Sequence, residues 1–124
     1  MNEVEEILGK RHKRMLTLAI KEANKSNSHA FKIGAVAFRG RRNVAKAHND
    51  IIKTSPGTTN RSRAIHAEYA LAHSDIAGTD VLIVRITPAG KLAMARPCLD
   101  CYPLLAPARR IFYSDRFGHI RRLR

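Results

Sequence analysis

The order in which two hydrophobic periods follow one another constrains this chain most. From Lys10 to about Ser26, the apolar residues Met15, Leu16, Ala19, Ile20 and Ala23 fall at i, i+1, i+4, i+5 and i+8, one stripe of a 3.6-residue period. Lys and Arg fill the other face, and Asn24 to Asn27 supplies turn formers. The pattern then changes. Phe31 to Phe38 reads as a buried strand, Gly40 and its basic neighbours as a turn, and Asn43 to His48 as a second strand of an antiparallel hairpin. Asp50 to Ser62, with Ser55-Pro56-Gly57 and Asn60, reads as a loop, and Ala64 to Ser74 as a helix. "VLIVRIT", Val81 to Thr87, is a strand and Pro88-Ala89-Gly90 a turn. A third helix is expected from Cys98 to about Pro107, kept short by Pro103 and Pro107 unless Pro103 sits in its first turn. "RIFYS", Arg110 to Ser114, is a further strand, and Gly118 to Leu123 a last edge strand or a tail. The order α, hairpin, α, β, α, β predicts an α/β fold, a three-layer α/β/α domain with a mixed sheet. With no repeat, low-complexity tract or linker, residues 1–124 read as a single domain.

Composition narrows the setting. At 44% hydrophobic residues, the chain can bury a core, and wholesale disorder is not expected. No apolar run approaches the roughly 20 residues of a membrane-spanning helix. Met1 to Leu8 carries Glu3, Glu5 and Glu6 without an apolar signal core, so the expected compartment is the cytoplasm, with no membrane partner. Lys and Arg number 23 against 10 Asp and Glu, a net charge of +13 that attracts polyanions or phosphorylated ligands. The same charge also serves simple solvation.

Two short motifs carry the chemistry. His66-Ala67-Glu68 is followed, after 28 residues, by Pro97-Cys98-Leu99-Asp100-Cys101. The two cysteines are the only ones, and C-x-x-C spacing without a secretory signal favours metal or redox chemistry over a structural bridge. Zinc takes nitrogen and sulfur ligands in a tetrahedron, and one histidine with two cysteines leaves one corner open, as in catalytic sites. Zinc lowers the pKa of bound water from about 16 to about 7. Glu68, two positions beyond His66, is placed to move protons without ligating the metal. If both motifs open helices, the positive helix ends favour thiolates. Redox thiols, a core histidine and a plain first-turn glutamate are the ordinary alternatives for each residue alone; their conjunction outweighs them.

In this order, with proline before the first cysteine and a strand between, the motifs match the H-x-E…P-C-x-x-C signature of zinc nucleobase deaminases. The chain resembles the cytidine and deoxycytidylate deaminase superfamily over about residues 10–115, in the branch shared by deoxycytidylate, tRNA adenosine and polynucleotide cytidine deaminases. "KIGAVAF" is similar to the family's first strand, "AHN" at 47–49 to the end of its second, and "IHAEYALA" and "ARPCLDC" to its zinc site. The resemblance implies that His66, Cys98 and Cys101 bind Zn2+ and that Glu68 shuttles protons. It also implies that Asn49 hydrogen-bonds sugar or base, that the amide of Ala67 meets the ring carbonyl, and that Phe31 walls the pocket. Taken by themselves, Asn49-Asp50 reads equally as a turn closing a strand, and Phe31 as core. His29, His48, His73 and His119 have no partner nameable from sequence.

The expected activity is hydrolytic deamination of a cytosine base in a nucleoside or nucleotide. The near alternative is a base within single-stranded DNA or RNA. The charge favours the polymer; aromatic content of 6% without tryptophan, and little chain after "RIFYS", favour the small substrate. Arg61 and Arg63, just before His66, are candidate phosphate contacts. An alternative of another class is a non-enzymatic nucleic-acid-binding module with structural zinc, which needs a fourth protein ligand. Relatives of this kind often form homo-oligomers, and that is the expectation here.

Overall fold

Met15, Ala19 and Ala23 return every fourth residue and are all buried, which makes Lys10–Ala23 an amphipathic helix, α1, of the computed structural model. The structure describes residues 10–28, 31–53, 62–65, 67–97 and 102–123. The helix ends before Ser26, as the amides of Lys25 and Ser26 turn to the carbonyls three residues back, on Glu22 and Ala23. Strand β1 (Lys32–Arg39) then pairs antiparallel with β2 (Arg42–His48). Their turn uses Gly40 at φ +65°, a left-handed conformation that glycine adopts without strain. A bulge between Ala37 and Phe38 breaks the register, and the Asn43 side chain mends it by donating to the carbonyls of Ala37 (3.1 Å) and Ala45 (2.8 Å).

The main sheet has six strands in the order β2-β1-β5-β7-β8, with β6 also pairing β5. Its later members are β5 (Asp80–Ile86), β6 (Leu92–Ala93), β7 (Arg110–Ser114) and β8 (Ile120–Arg122). The β5–β7 pair is parallel and the others antiparallel, so the sheet is mixed, as expected. Side chains of successive residues alternate between its faces. Val36, Phe38, Leu82, Val84 and Phe112 meet α1 on one face. Ala35, Ala37, Val81, Ile83 and Ile111 face the other way, against α2 (Ala67–Ala72) and the 3-10 turn Tyr102–Leu105. These two apolar clusters form the expected three layers. Gly34 lets α1 lie close on β1, because a Cβ there would collide with backbone atoms of Ala19 and Ala23.

Several boundaries differ from expectation. The ends of the expected loop, β3 (Asp50–Lys53) and β4 (Ser62–Ile65), pair as an antiparallel ribbon, which takes Ala64 and Ile65 from the expected helix. Helix α2 therefore starts at Ala67 and has six residues. The helix expected from Cys98 to Pro107 is, in its described part, one 3-10 turn with Pro103 near its start. Strand β6 was not anticipated; Gly118 to Leu123 does contain the edge strand β8. Among the described residues no helix is long and apolar enough to cross a membrane.

One buried ion cluster locks the parallel pair. The Asp80 carboxylate, at the start of β5 and closed to solvent, receives two-pronged hydrogen bonds from Arg109 (3.3 and 3.1 Å) and Arg110 (3.0 and 3.0 Å) at the start of β7. Burial alone would raise its pKa, but the bonds from Arg110 and Arg109 outweigh burial and hold it below the usual carboxylate range. Asp115 does similar work in the β7–β8 turn, accepting from the amides of Phe117 and His119 and from Arg121.

Candidate active site

Glu68 sits in the first turn of α2, between Ala67 and Leu71, which both pack into the cluster on that face. Its side chain goes in with them: only 5% of the residue is exposed. Oε1 is buried and, among the described residues, has no hydrogen-bond partner. Leaving a buried polar atom unmet costs about 1–3 kcal/mol, and more if it is charged. In a native fold such an atom calls for an explanation, and a site that binds something else supplies one.

Chain connectivity fixes which end of the sheet this is. Helix α2 leads through residues 73–79 into the start of β5, so its first turn lies toward the far end of that strand. The far end is where β2 finishes and β1 begins: Arg85 of β5 is opposite Ile33 of β1, and the amide of Asn49 bonds the Ile33 carbonyl (3.1 Å). It is also where β6 turns the chain toward the buried Pro97, and the 3-10 turn after Cys101 packs on α2. The elements flanking both motifs thus converge. His66, Cys98 and Cys101 themselves lie outside the described residues, as do Arg61 and the side chain of Arg63.

Ala67 is fully buried. Asn49 is 7% exposed and clamps the entry to β1: Oδ1 accepts from the Ile33 amide at 2.8 Å, and Nδ2 donates to the Phe31 carbonyl at 2.6 Å. One N–H and one lone pair of the amide are left over. Phe31 is not core. It precedes the first paired residue of β1 and is 53% exposed, with the Arg85 guanidinium carbon 4.2 Å from its ring centroid. Helix α2 has six residues, and the described chain after Cys101 makes a 3-10 turn.

Two features escaped the sequence reading. His48 has partners after all: its Nδ1 lies 2.9 Å from Glu22 of α1 and its Nε2 3.3 Å from Asp50. Burial would raise the pKa of Glu22, but His48 and Lys25 outweigh it and keep the carboxyl below its usual range. Arg85 is the other. Its signal was present, a lone cation in an apolar strand, in phase with the inward-facing Val81 and Ile83.

The family model for the cytidine and deoxycytidylate deaminase zinc-binding region matches residues 9–114, spanning both motifs. The chain belongs to this family. As a deaminase-family protein it also matches solved structures of the dCMP deaminase of cyanophage S-TIM5. The apo form aligns at 20% identity and TM-score 0.60 over 84% of this chain and 82% of that one. The complex with dCMP and dUMP aligns at 20% identity and TM-score 0.61, over 88% and 85%. At this identity the likeness is one of fold, and it agrees with the three-layer architecture. No curated protein matches the deaminase chain.

Proposed function

We propose that this protein is a zinc-dependent hydrolytic deaminase that converts a cytosine base to uracil in a nucleoside or nucleotide. The observation that carries the proposal is the buried Glu68 carboxylate with its unmet Oε1, two residues beyond His66. The donors suit zinc: one imidazole and two thiolates, with a carboxylate two residues beyond the histidine whose Oε1 meets no described residue. His66, Cys98 and Cys101 would hold the ion, which when bound makes water acidic enough to supply hydroxide near neutral pH.

The remaining chemistry belongs to the chain. Glu68 accepts one proton of the water at Oε1 and passes it to the ring nitrogen of the base, as oxygen bonds to the carbon bearing the amine. It then carries the second water proton to that amine. The carbon–nitrogen bond breaks, ammonia leaves and the ring carbonyl forms. Burial of Glu68 excludes bulk water from this exchange. Asn49, held by Phe31 and Ile33, offers its spare N–H and lone pair to sugar or base. The Ala67 amide is assigned to the ring carbonyl, and Phe31 to the exposed wall of the site. Residues 1–124 are read as one domain, supported by two clusters on opposite faces of one sheet.

The test is turnover of zinc-loaded protein against its Glu68→Gln variant. Cytosine deamination should fall about 10²- to 10⁴-fold while bound zinc stays at one ion per chain. Unchanged turnover would remove Glu68 from the mechanism. A binding module with structural zinc would show no turnover in either form. A base within single-stranded nucleic acid is the second reading. It draws on the net charge of +13 and on Phe117, exposed in the β7–β8 turn with the Arg116 guanidinium 5.8 Å from its ring. Binding of a polymer should weaken steeply with added salt.

A further inference from the structure

Among the described residues, two buried side-chain nitrogen or oxygen atoms have no hydrogen-bond partner: Oε1 of Glu68 and Nε of Arg85. One belongs to a carboxylate and the other to a guanidinium. Arg85 is in phase with Val81 and Ile83, so it lies on the α2 face of the sheet, the face that buries Glu68. It is the sixth of seven residues of β5, at the end toward which the first turn of α2 points.

Five other arginines of the fold have polar partners. Arg109 and Arg110 grip Asp80, Arg121 grips Asp115, and Arg39 and Arg14 donate to the carbonyls of Ala77 and Arg41. Among the described residues, the Arg85 side chain meets the ring of Phe31, at 4.2 Å. That contact holds the guanidinium by one flat face, and its buried Nε–H is met by no described residue. Its backbone is fixed as well: the Arg85 amide donates to Ser114 Oγ (3.1 Å), which itself donates to the Ala93 carbonyl (2.6 Å). A planar fork with an unmet donor, anchored in advance, is the group that best receives two oxygens of a phosphate.

We infer that Arg85, stacked on Phe31 at the rim of the deaminase site, binds a phosphate attached to the nucleoside whose base reaches Glu68. The inference rests on the proposed deamination reading and makes the phosphoester part of what is recognised. Arg85 is thus a specificity residue. The phosphate could be the 5′-phosphate of a free nucleotide or one in a polynucleotide backbone, and the substrates of the test separate them.

The experiment compares zinc-loaded wild type with Arg85→Gln and Arg85→Lys on deoxycytidine, dCMP and a short single-stranded DNA with one cytosine. Binding of dCMP and of deoxycytidine is measured in parallel by calorimetry. The ratio of kcat/KM for a phosphorylated substrate to that for deoxycytidine should fall about 10- to 100-fold in Arg85→Gln, with partial recovery in Arg85→Lys. A fall for dCMP assigns the free nucleotide; a fall for the oligonucleotide alone assigns the backbone. In calorimetry Arg85→Gln should lose the part of dCMP affinity that deoxycytidine lacks. Equal effects on all substrates, or none, would overturn the inference and leave Arg85 a packing residue. If wild type deaminates nothing, the deamination reading falls, and the calorimetric comparison still decides Arg85.

Discussion

The two ends of strand β5 treat charge in opposite ways. At its start, the Asp80 side chain is closed to solvent, yet both carboxylate oxygens are met by two guanidiniums. Near its end, Arg85 buries an atom that no described residue meets, as does Glu68 on the same face of the sheet. A fold selected for stability alone would treat both ends like the first, because an unmet buried group costs more than a paired one gains. The difference separates a structural end, which ties β5 to β7, from an end that the proposed function assigns to a ligand.

The largest effect that would break this contrast is at Glu68. Glu68→Gln, expected to cost about 10²- to 10⁴-fold in kcat, should leave the denaturation midpoint unchanged or higher, because a neutral amide is easier to bury than an unpaired carboxylate. A clear loss of stability would mean that Glu68 is a structural residue. Asp80→Ala should do the reverse. It should lower stability by about 2–3 kcal/mol, short of the 3–5 kcal/mol for a fully buried pair, because Arg109 is 57% exposed and can turn to water. Its kcat, measured on the folded protein, should not move.

Acidity sharpens the same comparison. Asp80, Glu22 and Asp115 all have carboxyls held below their ordinary pKa values, with burial outweighed by their hydrogen-bond partners. A depressed folded-state pKa contributes stability that is present above the unfolded value, near 4, and is lost as pH falls through the folded value. Urea midpoints should therefore hold near neutrality and drop below about pH 4. Asp80→Asn should show a shallower drop over that window. An identical slope in the variant would mean that Asp80 is not among the groups that set acid stability.

How far the sequence could show this contrast depended on the range of each interaction. Local periodicity sufficed for α1, β1, β2 and β7, whose expected and observed spans nearly coincide. It failed for Ser62–Ile65, where an extended conformation depends on pairing with Asp50–Lys53, about a dozen residues earlier. It failed for His48, whose partner Glu22 is 26 residues away on a helix. Phe31 misled because an aromatic ahead of an apolar strand resembles core, whereas it falls just outside the paired register and meets a cation instead. The motif residues were legible for another reason: zinc and a proton carrier demand particular side chains at particular spacings. Of the residues given zinc or proton-carrying roles, Glu68 lies within the described structure, where it is buried.

The smallest expected effect tests why Phe31 is exposed at all. A half-exposed phenylalanine loses little by becoming leucine, so stability should change by less than about 0.5 kcal/mol. If its ring serves to hold the Arg85 guanidinium flat, Phe31→Leu removes a cation–π contact worth about 0.5–1 kcal/mol at an exposed site. The affinity for dCMP relative to deoxycytidine should then fall about 2- to 5-fold, a weaker copy of the Arg85→Gln effect. Combined with Arg85→Gln, Phe31→Leu should add almost nothing, because the contact it removes is already gone. Full additivity in that double mutant would mean that Phe31 meets the substrate directly, and the unmet end of β5 would then recognise base and phosphate through separate residues.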